Sequence, residues 1–401
     1  MRILHTSDWH LGRTLHGVDL LEHQAGFLDH LVELVRSEGV GAVVVSGDVY
    51  DRAVPPVEAV QLLADALTRL SERAPVVVTP GNHDSAIRLG FAAGLMREGV
   101  HLRARVADVG RPVLLADEHG PVVVHALPYL DPDTVRRALA ADDVPDGLLP
   151  RSHEAVLAAA MRRVRADLAG RAAASGSRPR SVLMAHAFVM GGLASESERD
   201  IRVGGVDAAP AGVFAGVDYV ALGHLHGPQV IPFPAADGAA PSLAPVLRYS
   251  GSPLAYSFSE MHHHKSTVLL ELGPGGVVGT ELVPTPVPRR LSEVRGSIGD
   301  LLGVAGEPYV ADWLRVVVTD VVRPPDLHAR LKARFPHLLV TEHAPPATGG
   351  VATAVVVTSA ADPVQVAAEF VEHVTGAAPT PEEVAVLRRA YEDVLAGQRS
   401  A

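Results

Sequence analysis

Five short stretches of this sequence close apolar runs with side chains able to bind a metal ion. They are Asp8 and His10 in HTSDWHLG, Asp48 in SGDVYD, Asn82, His83 and Asp84 in PGNHD, His186 in MAHAF, and His224 and His226 in ALGHLHG. The absence of cysteine removes disulfides, thiolate zinc sites and a cysteine nucleophile, so an ion must be held by His, Asp, Glu or Asn; twenty histidines make that feasible. Such a donor set suits Mn²⁺, Fe²⁺ or Zn²⁺, with the carboxylates and the amide oxygen favouring the harder ions. Two ions about 3.5–4 Å apart can share a carboxylate, activate water and neutralise the oxygens of a phosphoryl group during in-line displacement. A single aspartate between two nitrogen-rich clusters is the natural bridge, and Asp48 is that candidate.

Each motif alone has an ordinary explanation. Gly47-Asp48 can be turn chemistry, with Gly supplying positive φ and Asp capping a helix. Asn82-His83-Asp84 after Pro80-Gly81 can be a capped turn, and His186 a hydrogen-bonded core histidine. Their joint occurrence, each at a strand end, is what accident does not explain. In open α/β sheets ligands gather outside the carboxyl ends of strands, so the pattern predicts convergence of segments far apart in sequence.

The elements that must position these residues are legible as apolar runs. RILHTS (2–7), AVVVSG (42–47), VVVTPG (76–81), VVVHAL (122–127), SVLMAH (181–186) and YVALGH (219–224) are apolar along their length, as strands covered on both faces are. VEAVQLLADALTRL (57–70) and EAVLAAAMRRVRADLAG (154–170) carry helical spacing, so the early chain reads as βα units. The Gly-, Pro- and Ala-rich stretches 170–180 and 234–245 read as variable loops. VLRYSGSP (246–253), STVLLEL (266–272) and VVGTELVP (277–284) read as antiparallel strands, followed by a Pro-rich joint at 284–290. WLRVVVTD (313–320), PPDLHARLKARF (324–335) and HLLVTEHA (337–344) suggest a β-α-β unit, and 343–351 a flexible turn. Asp362-Pro363 starts one terminal helix, and Thr380-Pro381-Glu382-Glu383 makes a capping box before the last.

The 401 residues, 47% hydrophobic, read as two or three domains, without a membrane-length apolar run or a signal peptide, and the default address is the cytoplasm. A net charge of −11 argues against gripping nucleic acid through a broad basic face of the chain's own. The first βα turn, SDWHLGR, lacks the G-x-G-x-x-G of a dinucleotide site, and no P-loop is present.

The motif set D-x-H, G-D, G-N-H-D, a lone His and G-H-x-H resembles the calcineurin-like metallophosphoesterases. HTSDWHLG, GDVYD before Pro-Pro, PGNHDS, RDI at 199–201, DYVALGHLH and RYSGSP at 248–253 are further similar to a bacterial DNA-repair nuclease branch of that family. The resemblance is close over residues 1–285. It implies an α/β fold: a metallophosphoesterase β-sandwich core flanked by helices (1–285), a small α+β capping or DNA-binding domain (286–360) and a C-terminal helical segment (361–401) that binds an ATPase. It also implies one metal held by Asp8, His10, Asp48 and His226 and a second by Asp48, Asn82, His186 and His224. His83 would stabilise the transition state or protonate the leaving oxygen, with Asp84 orienting its ring. The expected cofactor is two Mn²⁺, with Mg²⁺, Fe²⁺ or Zn²⁺ as alternatives. The expected partners are DNA, a coiled-coil ATPase and a second copy of the chain within a heterotetramer, with no membrane.

Two rival readings stay open: a generic dimetal phosphodiesterase or phosphatase acting on nucleotides or proteins, and a DNA-tethering scaffold protein. The Met261-His262-His263-His264-Lys265 tract, which has the look of a metal tract, reads more simply as a hydrated turn, His5 as a core histidine, Trp9 as packing, and Arg13 as either phosphate-facing or a plain surface residue. Val57, Val60, Leu63, Leu67 and Leu70 are either the core stripe of their helix or, as in relatives, part of a dimer contact.

Overall fold

The computed structural model describes residues 1–96, 99–141, 145–199, 208–234, 244–346, 362–375 and 377–399. Asp200 and Ile201 of the RDI motif, most of the 234–245 loop, the end of the 343–351 turn and part of the expected cap segment lie outside them. The chain divides into two compact units, a large one over 1–345 and a small one over 346–401.

In the large unit the strands begin with β1 (Arg2–Thr6), a short hairpin β2 (Thr14–Leu15) and β3 (Val18–Asp19), then β4 (Ala42–Ser46), β5 (Val76–Thr79) and β6 (Val100–Leu102). They continue with β7 (Val113–Asp117), β8 (Gly120–Ala126), β9 (Arg180–His186), β10 (Tyr219–Gly223), β11 (Gln229–Ile231) and β12 (Val246–Tyr249). β13 (Ser266–Gly273) and β14 (Gly276–Pro284) complete the core. One six-stranded sheet runs β14-β13-β1-β4-β5-β6 and the other β11-β12-β10-β9-β8-β7.

Period-two side-chain alternation explains the layering. In β4, Ala42 and Val44 face the other sheet, joining Ile3 and Val77 against Val124, Val182, Met184 and Ala221. Val43 and Val45 point the other way, onto helices α1 (Leu21–Ser37) and α2 (Val57–Ser71). Continuously apolar strands are the consequence. Two short helices follow, α3 (Ala86–Leu89) and α4 (Pro132–Val135), and then α5 (His153–Ser175), whose Val156, Ala160, Met161 and Val164 cover the outer face of the second sheet. The result is an α-β-β-α sandwich.

Two expectations change. VLRYSGSP supplies β12, which runs parallel to β10 and antiparallel only to β11, because its chain crosses over to the second sheet before β13 returns to the first. The 170–180 stretch is not a loop throughout: α5 continues to Ser175 and stops where Gly176 takes a left-handed φ of 74°.

Beyond the core, β15 (Leu291–Gly296), β16 (Trp313–Val318) and β17 (Leu338–His343) form a separate parallel sheet, with α6 (Ile298–Leu302) and α7 (Leu327–Arg334) beside it. Leu291 and Trp313 pack with Leu15, Leu20, Leu254, Tyr256 and Phe258, which joins this sheet to the core. In the small unit, α8 (Pro363–Thr375) is capped by Asp362 through the Val364 N–H at 3.0 Å. α9 (Pro381–Arg399) opens with the reciprocal box, Glu383 N–H to Thr380 Oγ1 at 3.3 Å and Thr380 N–H to Glu383 Oε2 at 2.7 Å. Among the described residues, no helix is long and apolar enough to cross a membrane.

Candidate metal centre

The loops after β1, β4, β5, β9 and β10 meet at one edge of the sandwich, and they bring the predicted residues together. Three sets of donor atoms lie within 4.8 Å of one another: Asp8 with His10 and His226, Asp48 with His186 and His224, and Asp48 with His10 and His83. All seven side chains in these sets are buried. His10 Nε2 is 3.1 Å from His226 Nε2, and Asn82 Oδ1 is 2.9 Å from His186 Nε2 and 3.2 Å from His224 Nδ1. Asp48 uses Oδ1 to accept the His83 N–H at 2.8 Å. Its other oxygen, Oδ2, lies 3.4 Å from His186 Nε2, 3.7 Å from His10 Nε2 and 4.0 Å from His83 Nε2.

The backbone at this edge is strained. Asp8, His10 and Asp48 have φ of 55°, 45° and 49°, and His224 of 109°, all in left-handed territory that costs a non-glycine residue about 1–3 kcal/mol. That strain is held by bonds around it. The N–H groups of Asp8, His10 and Leu11 bond the carbonyls of Gly47, Asp48 and Val49 at about 3 Å, zipping the first loop onto the second. Gln24, fully buried, donates from Nε2 to the Trp9 and His10 carbonyls and accepts the Gly12 N–H. Trp9 turns away into the core, edge-on to Phe27. Two glycines are required by close approach: a Cβ on Gly47 would lie 2.3 Å from His186 Nδ1, and one on Gly81 2.1 Å from Asp48 Oδ1.

Burial dominates the electrostatics. It drives His10 and His224 well below the ordinary histidine value and lowers His83 as well. Burial also lifts Asp8 to about 6, against the pull of His186 and His226. At Asp48 burial is outweighed by the charge and hydrogen bond of His186, which hold the carboxyl well below its usual range. His186 gains in return: burial pushes it down, but Asp48 and Asp8 lift it to about 9. In the metal-free protein a proton on His186 therefore stands where a cation would compensate the same two carboxylates.

The orienting role expected of Asp84 belongs to another group. The His83 ring bonds the Asp51 carbonyl through Nδ1 at 2.7 Å. Asp84 instead accepts the N–H groups of Gly81, Val49 and Tyr50 at 2.9–3.0 Å, tying the PGNHD loop to the GDVYD loop. Burial and the Asp48 charge push Asp84 up to about 7 against those bonds. Its geometry is that of a loop clamp, because three donors surround it before the His83 ring can be reached.

Other expectations resolve individually. His5 is fully buried, bonded to Tyr219 Oη at 3.0 Å and to the Leu222 carbonyl at 3.2 Å, and burial lowers it to about 3. Arg13 lies 4.9 Å over the Tyr256 ring, 3.4 Å from Asp51 Oδ1, and donates to the Ser197 carbonyl at 3.2 Å. The histidine tract is not a hydrated turn throughout, since Lys265 is buried and ion-paired with Glu260. Sequence reading missed Gln24, Ser7, Glu260 and Ser197. Ser7 Oγ donates to Asp8 and meets Ser250 Oγ of RYSGSP at 2.8 Å, so that motif was a signal for the support behind Asp8.

The model of the calcineurin-like phosphoesterases matches residues 1–228, more than half of the chain. The chain belongs to that family. As a calcineurin-like phosphoesterase it is a metal-dependent phosphodiester hydrolase of mixed α/β fold, and the family works through a dimetal centre. The SbcD component of the SbcCD nuclease of Bacillus subtilis (strain 168) is 39% identical over 279 residues, covering 69% of this chain and 67% of that protein. Among solved structures, TT1561 of Thermus thermophilus is similar with a TM-score of 0.35 and 16% identity, covering 70% of this chain and 98% of that one. GAP50, the anchor in the inner membrane complex of Plasmodium, has a TM-score of 0.35 and 10% identity, covering 71% of this chain and 89% of that one.

The residues fit a pair of ions. Ligand atoms sharing one ion at bonds of about 2.0–2.2 Å stand roughly 3 Å apart. The donor separations above, from 2.9 to 3.7 Å, match that spacing, and one of them, His10 Nε2 to His226 Nε2, joins two ring nitrogens.

Proposed function

We propose that this chain is a Mn²⁺-dependent DNA nuclease, an exonuclease on double-stranded ends and an endonuclease on single strands and hairpins, working with a coiled-coil ATPase in DNA repair and recombination. The observation that carries the reading is the similarity to a protein named as part of a nuclease across two thirds of both chains, combined with an edge where Asp48 Oδ2 faces imidazoles from both clusters. Asp8, His10, Asp48 and His226 would hold one ion, and Asp48, Asn82, His186 and His224 the other. When bound, the ions supply positive charge that activates water and neutralises the phosphoryl oxygens.

The chain's own residues do the rest. The Asp51 carbonyl can only accept, so His83 carries its hydrogen on Nδ1 and presents Nε2 to the site. Nε2 is then the atom that exchanges a proton with a phosphate or leaving oxygen. Asp84 keeps the two loops in register so that His83 and Asp48 share one edge. Residues 286–360 form the capping module and 361–401 the segment that grips the ATPase, within an assembly containing two copies of this chain. The ions would supply local positive charge, and a dimer together with the ATPase partner the wider DNA grip that a chain of charge −11 lacks. Exposed Val54, Val57, Val60, Ile87, Phe91 and Leu95 support the dimer reading, whereas Leu63, Leu67 and Leu70 of α2 belong to the core.

A generic phosphodiesterase would use the same centre, since a dimetal site does not specify its substrate. Cleavage of linear and hairpin DNA with Mn²⁺, with and without the ATPase, separates the two. Wild type should cut both DNAs, and His83→Ala should lose about 10²-fold or more in kcat with its ions retained. Hydrolysis confined to small phosphodiesters, even with the partner present, refutes the DNA reading.

A further inference from the structure

Behind His226 lies an ionic network that cannot touch substrate. Glu260 is 1% exposed and Lys265 4%, and the two are paired through Glu260 Oε2 and Lys265 Nζ. Lys265 also donates to the His226 carbonyl at 3.0 Å and to Ser252 Oγ at 2.8 Å. Glu260 Oε1 lies 3.1 Å from His226 Nδ1 and accepts from Ser197 Oγ–H, while Ser197 Oγ is itself 2.7 Å from His226 Nδ1. Glu198 Oε1 takes the His226 backbone N–H at 2.8 Å.

The proton count fixes the ring. Ionised Glu260 only accepts, and Ser197 spends its one hydrogen on Glu260, so both atoms facing Nδ1 need a donor there. His226 is held as the Nδ1–H tautomer, and the Nε2 lone pair is turned towards His10 Nε2 and the ion site. On the other side of Asp48, His186 Nδ1 bonds a neutral carbonyl, that of Ser46, at 3.0 Å, with the Asp8 carboxylate standing off at 4.0 Å. A buried carboxylate and ammonium are weak contributors to stability compared with apolar packing, so the network is better understood by what it does to the imidazole. A carboxylate behind a metal-binding histidine fixes its orientation and strengthens its donor nitrogen.

We infer that Glu260, paired with Lys265 and relayed through Ser197, is a positioning residue that sets how tightly the ion on the His226 side is held. The inference rests on the dimetal reading above. It is tested by titrating the metal-free full-length protein with Mn²⁺, following free ion by electron paramagnetic resonance. Wild type should take up two ions. In Glu260→Gln one ion should bind about 10–100-fold more weakly while the other keeps its wild-type affinity. Because that change strands the Lys265 ammonium, Glu260→Gln/Lys265→Met, with no buried charge left, serves as the folded counterpart and should show the same selective loss. His224→Ala should weaken the opposite ion. Wild-type affinity for both ions in the folded double variant, or equal weakening of both, overturns the role of Glu260. Uptake of fewer than two ions by wild type would instead overturn the dimetal reading beneath it.

Discussion

At the residue scale, the centre is a set of buried groups whose protonation is decided by one another. His186 is lifted to about 9 by Asp48 and Asp8, and Asp8 to about 6 by burial. In the proposed centre an entering cation displaces the His186 proton, so below about pH 9 its binding should release one proton and its affinity should rise with pH, by up to about tenfold per unit. Below about pH 6 the Asp8 proton adds to the slope. Mn²⁺ dissociation constants measured from pH 6.5 to 8.5 should fall steadily, and a constant value across that range would contradict the assignment. The convergence of Asp8, His10, Asp48, Asn82, His186, His224 and His226 was legible in the sequence because each lies at or just after the end of an apolar strand. Glu260, Gln24 and the Asp51 carbonyl were not, since they reach the site through three-dimensional contacts that no local spacing encodes. Asp84 was misread for the same reason: neighbours in sequence need not be neighbours in hydrogen bonding.

At the element scale, the two sheets are fastened at the end opposite in chain direction to the metal edge. Arg180, at the start of β9, donates to both Asp117 oxygens at 3.0 and 2.5 Å, and the amino group of Met1 pairs with the same carboxylate at 2.8 Å. Arg180 hydrogen bonds hold Asp117 below the usual carboxylate range. A depressed pKa contributes stability that is fully present above the unfolded value near 3.9 and is lost as pH falls through the folded one. Asp117→Asn should therefore lower stability at pH 7 by about 1.5–3 kcal/mol, the worth of a hydrogen bond to a charged group, and the gap from wild type should shrink below about pH 4. Urea denaturation at the two pH values checks this; equal stability at pH 7, or a gap that widens in acid, contradicts it. The strands themselves were readable because burial on both faces leaves continuous apolar runs. The direction of β12 was not, because an apolar run carries no mark of whether its neighbour is parallel, and pairing is set by a crossover spanning the fold. The end of α5 was obscured by an alanine-rich tail that reads equally as loop or helix.

At the scale of the whole molecule, the central claim is that strand ends separated by more than two hundred residues of chain build one dimetal centre around Asp48. The sandwich makes this possible because β1, β4 and β5 lie side by side in one sheet and β9 and β10 in the other, with their carboxyl ends at a common edge. The small parallel sheet packs on the core through Leu291 and Trp313. The most direct measurement is the metal content per chain of the Mn²⁺-loaded protein, by elemental analysis after gel filtration, for wild type and Asp48→Ala. Two ions per chain in wild type and loss of both in the variant are the predicted result; retention of two ions by folded Asp48→Ala would contradict the bridge and with it the account of the centre.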